Sequence, residues 1–147
     1  MPSRTLTRVA FALAALTAMP AVRSDAEAGQ TPAAKNAYLY IGWPNDGEVI
    51  RTRRFRVWFG LRNAGVAPAG VEKANTGHHH LIIDAPLPPF DQEIPADKNH
   101  LHFGAGQSEA IIELAPGKHT LQLLMGDHQH IPHNPPIYSR KITIEVK

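Results

Sequence analysis

The sequence predicts an all-β protein, an antiparallel immunoglobulin-like sandwich of about seven strands. From residue 36 onward apolar residues recur with period two rather than 3.6, which is typical of half-buried strands. Eleven Gly and thirteen Pro separate short apolar runs, the usual pattern of turns between strands. The 43% hydrophobic fraction is sufficient for a packed core. Because the chain has no Cys, that core must hold the fold without disulfides.

The strands follow one another with turn residues between them. The predicted strands are 37–42, 49–51, 54–62, 78–84, 108–114, 118–125 and 138–147. The third alternates most clearly, with Phe55, Val57 and Phe59 on one face and basic side chains on the other. Pro116-Gly117 separates the fifth run from the sixth, and this turn signal predicts a hairpin between them.

Two connections are long for a compact domain, at residues 63–77 and 85–99. The first, rich in Ala and Gly, is the one stretch compatible with a helical excursion, although Pro68 and Gly70 disfavour it. The second contains four prolines and three carboxylates, which predicts irregular structure. Because long ordered loops in small domains are often functional, 85–99 is a candidate binding loop.

The N-terminal segment has the pattern of an export signal. Arg4 and Arg8 precede the uncharged apolar run 9–19, and small residues follow in two cleavage patterns, which end at Ser24 and at Ala28. The run is too short to span a membrane, so no stable membrane insertion is expected after cleavage. The signal pattern predicts export to the periplasm. The predicted organisation is a cleaved signal peptide at 1–28, a flexible N-terminal segment at 29–35 and a single His-rich β-sandwich domain at 36–147.

Nine histidines are the unusual feature of the composition, and six of them form three His-x-His pairs. In an extended chain, residues i and i+2 point to the same side, so each pair presents two imidazoles together. Imidazole is a ligand for copper, zinc, nickel and iron, and three pairs at strand ends predict a metal site. The predicted ligands are His78, His80, His100, His102, His128 and His130, with His133 as a seventh.

The identity of the metal follows only partly from the residues. Thiolate ligands are excluded, and Met125 is the one soft donor nearby. Nitrogen-rich sites suit Cu(II) and Zn(II), and the affinity order of divalent metals favours a copper ion over the alternative, a zinc ion. Asp84 and Asp127 are candidates to orient imidazoles or to ligate directly. His79 and His119 share strand faces with apolar residues and are interpreted as structural, with His119 in the core.

Four blocks of the chain, 65–73, 77–84, 94–104 and 121–136, resemble a family of small exported bacterial proteins. They contain the motifs GHHHLI, NHLHFG and GDHxHxPH. The family has a single His-rich domain of unknown function, and some of its members are labelled rod shape-determining. The resemblance covers about residues 36–147. It implies a protein of the cell envelope with one β domain, and it implies no activity.

These observations leave three classes of function open. The first is a periplasmic metal-binding protein, with copper or zinc held by the histidines, in metal buffering, delivery or resistance. The second is a metal-dependent enzyme at the same residues, although no catalytic motif is present and no catalytic residue is assigned. The third is a metal-free module that contacts the envelope through an arginine-rich strand face. A net charge of +2 and the lack of a basic aromatic stripe argue against nucleic acid as a partner, and the sequence does not identify a protein partner.

Overall fold

The computed structural model describes residues 29–147, and within this range all regular structure is β. The strands are β1 (Tyr38–Trp43), β2 (Val49–Ile50), β3 (Arg54–Arg62), β4 (Gly65–Val66), β5 (Thr76–Ile83), β6 (His100–His102), β7 (Glu109–Glu113), β8 (Gly117–Gly126) and β9 (Ile142–Val146). The predicted signal peptide, residues 1–28, lies outside the described residues. Residues 29–147 contain no helix with the length and apolar character needed to cross a membrane.

The strands form two sheets, which confirms the predicted sandwich. The smaller sheet has the order β1-β3-β7, and the larger has the order β2-β9-β8-β5-β4, with β6 also paired to β5. The main ladders are antiparallel, while the short pairs β2–β9 and β4–β5 are parallel. Each of the seven predicted runs contains a strand. The sequence prediction missed only the short strands β4 and β6.

The predicted hairpin between the fifth and sixth runs is wrong. Strand β7 pairs with β3 in the smaller sheet, whereas β8 pairs with β5 and β9 in the larger one. The connection around Pro116 therefore passes from one sheet to the other. Both hydrogen-bonding edges of β8 are occupied by other strands, so none is left for β7. A short Pro-Gly turn fits either arrangement, and the local sequence does not distinguish them.

The connection at 63–77 forms no helix. Its start is β4, which runs parallel to the beginning of β5, and the rest is made of turns. Gly70 has a φ of +79°, a left-handed conformation that interrupts any helix. The Pro and Gly residues that disfavoured a helix in the sequence thus fit the observed turns.

The main core lies between the two sheets and consists of the inward residues of the alternating strands. Val57 and Phe59 of the smaller sheet face Leu81, Leu123 and Ile144 of the larger sheet, and all are buried. This alternation is the one that the sequence predicts for β3 and β9. Their opposite faces carry mostly polar side chains and face outward.

Strand β5 differs from the others because it is buried on both faces. On its inner face His79, Leu81 and Ile83 contact the main core. On its outer face Ile82 packs with Leu124 and with Ile94, which comes from the loop at 85–99. The loop therefore covers the outer face of the larger sheet rather than extending into solvent. That outer face of β5 also carries the first His-x-His pair.

The segment before β1 contacts the domain along its length. Pro32 forms a bridge with Asn134, and the Ala34 side chain is buried. The Thr31 hydroxyl donates a hydrogen bond of 2.6 Å to Asp127. Residues 29–35, for which the sequence predicts flexibility, thus lie beside the turn that follows β8.

Candidate metal centre

Three separate parts of the chain bring imidazoles to one end of the larger sheet. His78 and His80 lie on the outer face of β5, because residues i and i+2 of a strand share a face. His102 lies on β6 directly opposite His80 in the ladder. His130 comes from the turn after β8, whose last residue, Gly126, lies opposite His78.

Four rings contact one another and form the His cluster, which consists of His78, His80, His102 and His130. The ring centre of His78 lies 4.8 Å from that of His80 and 5.0 Å from those of His102 and His130. The separation is 5.1 Å between His80 and His102, 4.7 Å between His102 and His130, and 6.2 Å between His80 and His130. Ring nitrogens of His78, His80 and His102 lie within 4.8 Å of one another.

These separations fit a metal ion with imidazole ligands. Metal–nitrogen bonds are about 2.0–2.1 Å long, so four imidazoles placed tetrahedrally around one ion have ring centres about 5.2 Å apart. Five of the six measured separations lie between 4.7 and 5.1 Å. The sixth, between His80 and His130, is wider at 6.2 Å. The ring spacing is thus close to that of a four-imidazole site, and mutual proximity of the ring nitrogens is shown for His78, His80 and His102.

Several nitrogens of the His cluster are buried without a hydrogen-bond partner. Both ring nitrogens of His78 and the Nδ1 of His80 have no partner among residues 29–147, although both side chains are at most 1% exposed. An unsatisfied buried polar group costs about 1–3 kcal/mol. Buried polar groups in native proteins are nearly always paired, so an unpaired set needs an explanation. A metal ion would supply the missing interaction.

The environment keeps these imidazoles neutral, which is the form that binds metals. Burial, together with the neighbouring imidazoles of His102 and His130, lowers the pKa of His78 to about 4. Burial and the adjacent rings also lower the pKa of His80, to about 2. The pKa of His102 is lowered as well, mainly by burial. Lone pairs are therefore available at neutral pH.

Asp127 organises the turn that carries His130. Its buried carboxylate accepts hydrogen bonds from the Thr31 hydroxyl at 2.6 Å and from the backbone N–H groups of Gln129 and Ile131 at 2.8 and 3.0 Å. Burial raises the pKa of Asp127, but these hydrogen bonds outweigh it and lower the pKa below its ordinary value. The carboxylate is thus charged, and it orders the turn rather than ligating directly.

The backbone of His130 itself is tightly constrained. Its φ is +66°, a left-handed conformation that few residues other than Gly adopt. Its N–H donates to the carbonyl of Asp127 at 3.0 Å, and its carbonyl accepts from the N–H of Ile94 at 2.8 Å. The first bond closes the turn and the second connects it to the covering loop, so the backbone of His130 is held in place at the site.

Removing the carboxylate of Asp127 should destabilise the protein and disorder this turn. Asp127→Ala removes the acceptor of three part-buried hydrogen bonds to a charged group, and we expect a loss of about 2–4 kcal/mol in the free energy of unfolding. Asp127→Asn retains one acceptor oxygen and should lose less, about 1–2 kcal/mol. Urea unfolding of the metal-free proteins measures both. Midpoints for both variants equal to the wild-type value would show that Asp127 does not support the turn.

Two glycines, Gly126 and Gly104, lie so close to rings of the His cluster that a side chain would not fit at either position. A Cβ on Gly126 would lie 2.7 Å from Cε1 of His80, closer than real Cβ contacts allow. A Cβ on Gly104 would overlap the ring of His102 in the same way. Sequence reasoning missed both glycines as parts of the site. Their only signal was their place beside the histidine motifs.

Three of the predicted ligands lie outside the His cluster. The Nδ1–H of His100 donates to Asp97 at 2.9 Å, and His100 pairs with Ile82 in the ladder. His128 is half-buried and lines a separate cavity of about 520 Å³. His133 is buried, with its Nε2–H donating to the carbonyl of Thr76 at 3.0 Å. The structure thus brings together both members of the first pair and one member of each of the other two.

The remaining candidates have structural contacts. His79 is buried on the core face, where its Nδ1–H donates to the carbonyl of Gln107 at 2.9 Å and its ring packs on Phe59. Met125 lies opposite His79 in the ladder and is part of the main core, so it faces away from the His cluster.

The interpretation of His119 as a core residue is wrong. Its side chain is 14% exposed near the start of β8, where Nδ1–H donates to Asp84 at 2.6 Å and Nε2–H to the carbonyl of Ala115 at 2.8 Å. Burial lowers the pKa of His119, but the two acceptors outweigh it and raise the pKa above its ordinary value. Asp84 is therefore engaged by His119 and does not orient a ring of the His cluster.

The profile of DUF4399, described as a domain of unknown function, matches residues 57–147. No curated protein and no solved structure matches the chain. The matched range begins within β3 and contains every histidine of the His cluster. It covers well over half of the chain, so this protein belongs to the DUF4399 family, whose shared domain is one of unknown function.

Proposed function

We propose that this protein binds a copper ion at the His cluster and acts in the periplasm in copper buffering, delivery or resistance. The ligands in this proposal are His78, His80 and His102, with His130 as the fourth. A domain of unknown function supplies no activity by its family, so the proposal depends on the site alone.

The observation that carries the proposal is the burial of imidazoles whose nitrogens have no partner. His78 is fully buried and neither of its nitrogens is hydrogen-bonded within residues 29–147. His79 and His133 each form a hydrogen bond through one nitrogen and leave the other unpaired, whereas His78 forms none through either nitrogen. A cluster that is costly to the metal-free fold is understandable if binding an ion compensates for the cost.

Copper is proposed over zinc for two reasons. The His cluster offers only imidazole nitrogens, which suit both ions, and among divalent metals Cu(II) binds such ligands most tightly. Structural zinc sites are typically built with thiolates, and this chain has no Cys. The periplasmic location rests on the signal-like pattern of residues 1–28.

The proposal is tested by titration of the tag-free protein. After removal of bound ions with a chelator, Cu(II) and Zn(II) are titrated separately by calorimetry against a competing ligand of known affinity. We expect one ion per chain, submicromolar dissociation constants and tighter binding of Cu(II) than of Zn(II). Affinity no greater than that of a mixture of free imidazoles would exclude a metal-binding function. Tighter binding of Zn(II) would replace copper with zinc as the cargo.

A further inference from the structure

A cavity of about 330 Å³ opens onto one side of the His cluster. His80, His102 and His130 line it, whereas His78 lies behind them and does not reach it. Its opposite wall is the covering loop, including Glu93 and Ala96. An ion held by the four rings would thus be enclosed by His78 on one side and would face the cavity on the other.

The wall of this cavity is fixed by the fold. Ile94 is 4% exposed and packs against Ile82 and Leu124, which anchors the loop on the sheet. The N–H of Ile94 also donates to the carbonyl of His130 at 2.8 Å. The loop and the turn are therefore joined by a hydrogen bond at the site, and the packed core and this bond hold the walls of the cavity in place.

The widest ring separation in the His cluster lies on the side that faces the cavity. The His78 ring lies at nearly equal distances, 4.8 to 5.0 Å, from the other three. The widest gap, 6.2 Å, separates His80 from His130, and both residues line the cavity. Four-coordinate sites that add a fifth ligand do so where the existing ligands spread apart, and sites that bind exogenous ligands keep such a position open.

We infer that a metal ion held by the His cluster keeps a coordination position open toward this cavity and takes a small anion there. The charge balance selects an anion. Imidazole ligands are neutral and do not reduce the charge of a divalent ion, and the buried carboxylate of Asp127 is engaged by three donors. The one carboxylate lining the cavity, Glu93, is exposed at its edge. This inference rests on the proposed function.

The probe is azide added to the Cu(II)-loaded protein, followed by electron paramagnetic resonance and visible absorption. Before azide is added, nitrogen hyperfine structure must show that copper is bound by imidazoles. We then expect a saturable change of the copper spectrum and a new azide-to-copper charge-transfer band. Nitrogen-ligated copper whose spectrum does not respond to azide would overturn this inference and leave the proposed function intact. Failure to bind copper would overturn both.

A cavity-filling variant shows whether the anion enters from the proposed side. Ala96 is exposed and lies in the covering loop, outside the His cluster, so Ala96→Phe should fill the cavity and leave copper binding unchanged. We expect it to weaken azide binding at least 10-fold. Ala115→Phe, the same change at an exposed turn away from the cavity, should have no effect. Equal azide affinity in both variants would contradict entry through this cavity.

Substitution of Glu93 distinguishes an open coordination position from one that the Glu93 carboxylate occupies. If the position is open, Glu93→Gln removes a repelling charge at the edge of the cavity and strengthens azide binding without altering the copper spectrum in the absence of azide. If Glu93 occupied the position itself, the same substitution would change that spectrum, and the inference would be wrong.

Discussion

His102→Ala should weaken copper binding by more than about 100-fold, whereas His100→Ala should leave it within about threefold. The loss of even an outer hydrogen-bond partner of a ligand costs about 10- to 100-fold in metal affinity, and a direct ligand contributes more. His102 lies opposite His80 and within reach of the His cluster, while His100 is hydrogen-bonded to Asp97. Competitive calorimetry with Cu(II) measures the difference.

The third His-x-His pair offers an equivalent comparison. His130→Ala should weaken copper binding, and His128→Ala should not, because only the ring of His130 contacts the other three. The second and third pairs therefore each contain a control, a histidine two residues away that lies outside the His cluster. Urea unfolding of the metal-free variants checks that the fold is retained. Equal losses of affinity for both members of the second or the third pair would show that the ligand set is wrong.

The metal-free protein should lose stability as the pH falls from about 6.5 to about 4. In the unfolded chain the pKa of His78 is near its ordinary value of 6.5, but burial lowers it to about 4 in the folded protein. Between these values the unfolded state binds more protons, so the free energy of unfolding decreases as the pH decreases. At about 1.36 kcal/mol per pKa unit, His78 alone accounts for about 3 kcal/mol.

Other histidines modify this dependence in known directions. The lowered pKa values of His79, His80 and His102 act in the same direction as that of His78. The raised pKa of His119 acts in the opposite direction: its stabilising contribution is complete below pH 6.5 and is lost at higher pH. Because several groups act together against one, the net result should be loss of stability in acid.

Urea unfolding at pH 7, 6 and 5, with metal removed, measures the effect. His78→Leu is the informative variant because it replaces the imidazole with an apolar side chain of comparable size. It should reduce the dependence on pH and raise the stability of the metal-free protein, since it removes two unsatisfied nitrogens. A wild-type unfolding midpoint that does not change between pH 7 and 5 would contradict the lowered pKa values.

The fold class was predictable from the sequence because it depends on local pattern. Period-two alternation in β3, with Phe55, Val57 and Phe59 inward, is a property of consecutive residues and leads directly to a half-buried strand. The pairing of strands is not local. Pro116-Gly117 marks a turn correctly, yet only the occupation of both edges of β8 by β5 and β9 shows that the turn joins two sheets.

The distinction between local pattern and non-local contacts also explains which parts of the site could be predicted. The His-x-His spacing placed His78 and His80 on one face of a strand, and the structure keeps them together because both lie within β5. His128 and His130 follow β8 in a turn, where the chain is not extended and the rule for alternate residues no longer applies. Sequence spacing alone therefore gave no means of choosing between them.

The sequence by itself determined that this protein is a β sandwich and that paired imidazoles stand near the ends of its strands. Tertiary structure decided which imidazoles meet. The ladder between β5 and β6 sets His102 opposite His80 and leaves His100 opposite Ile82, and Asp127 shapes the turn that presents His130. Alternation along a strand depends on neighbouring residues, whereas ladder register and turn conformation depend on contacts between residues far apart in the chain.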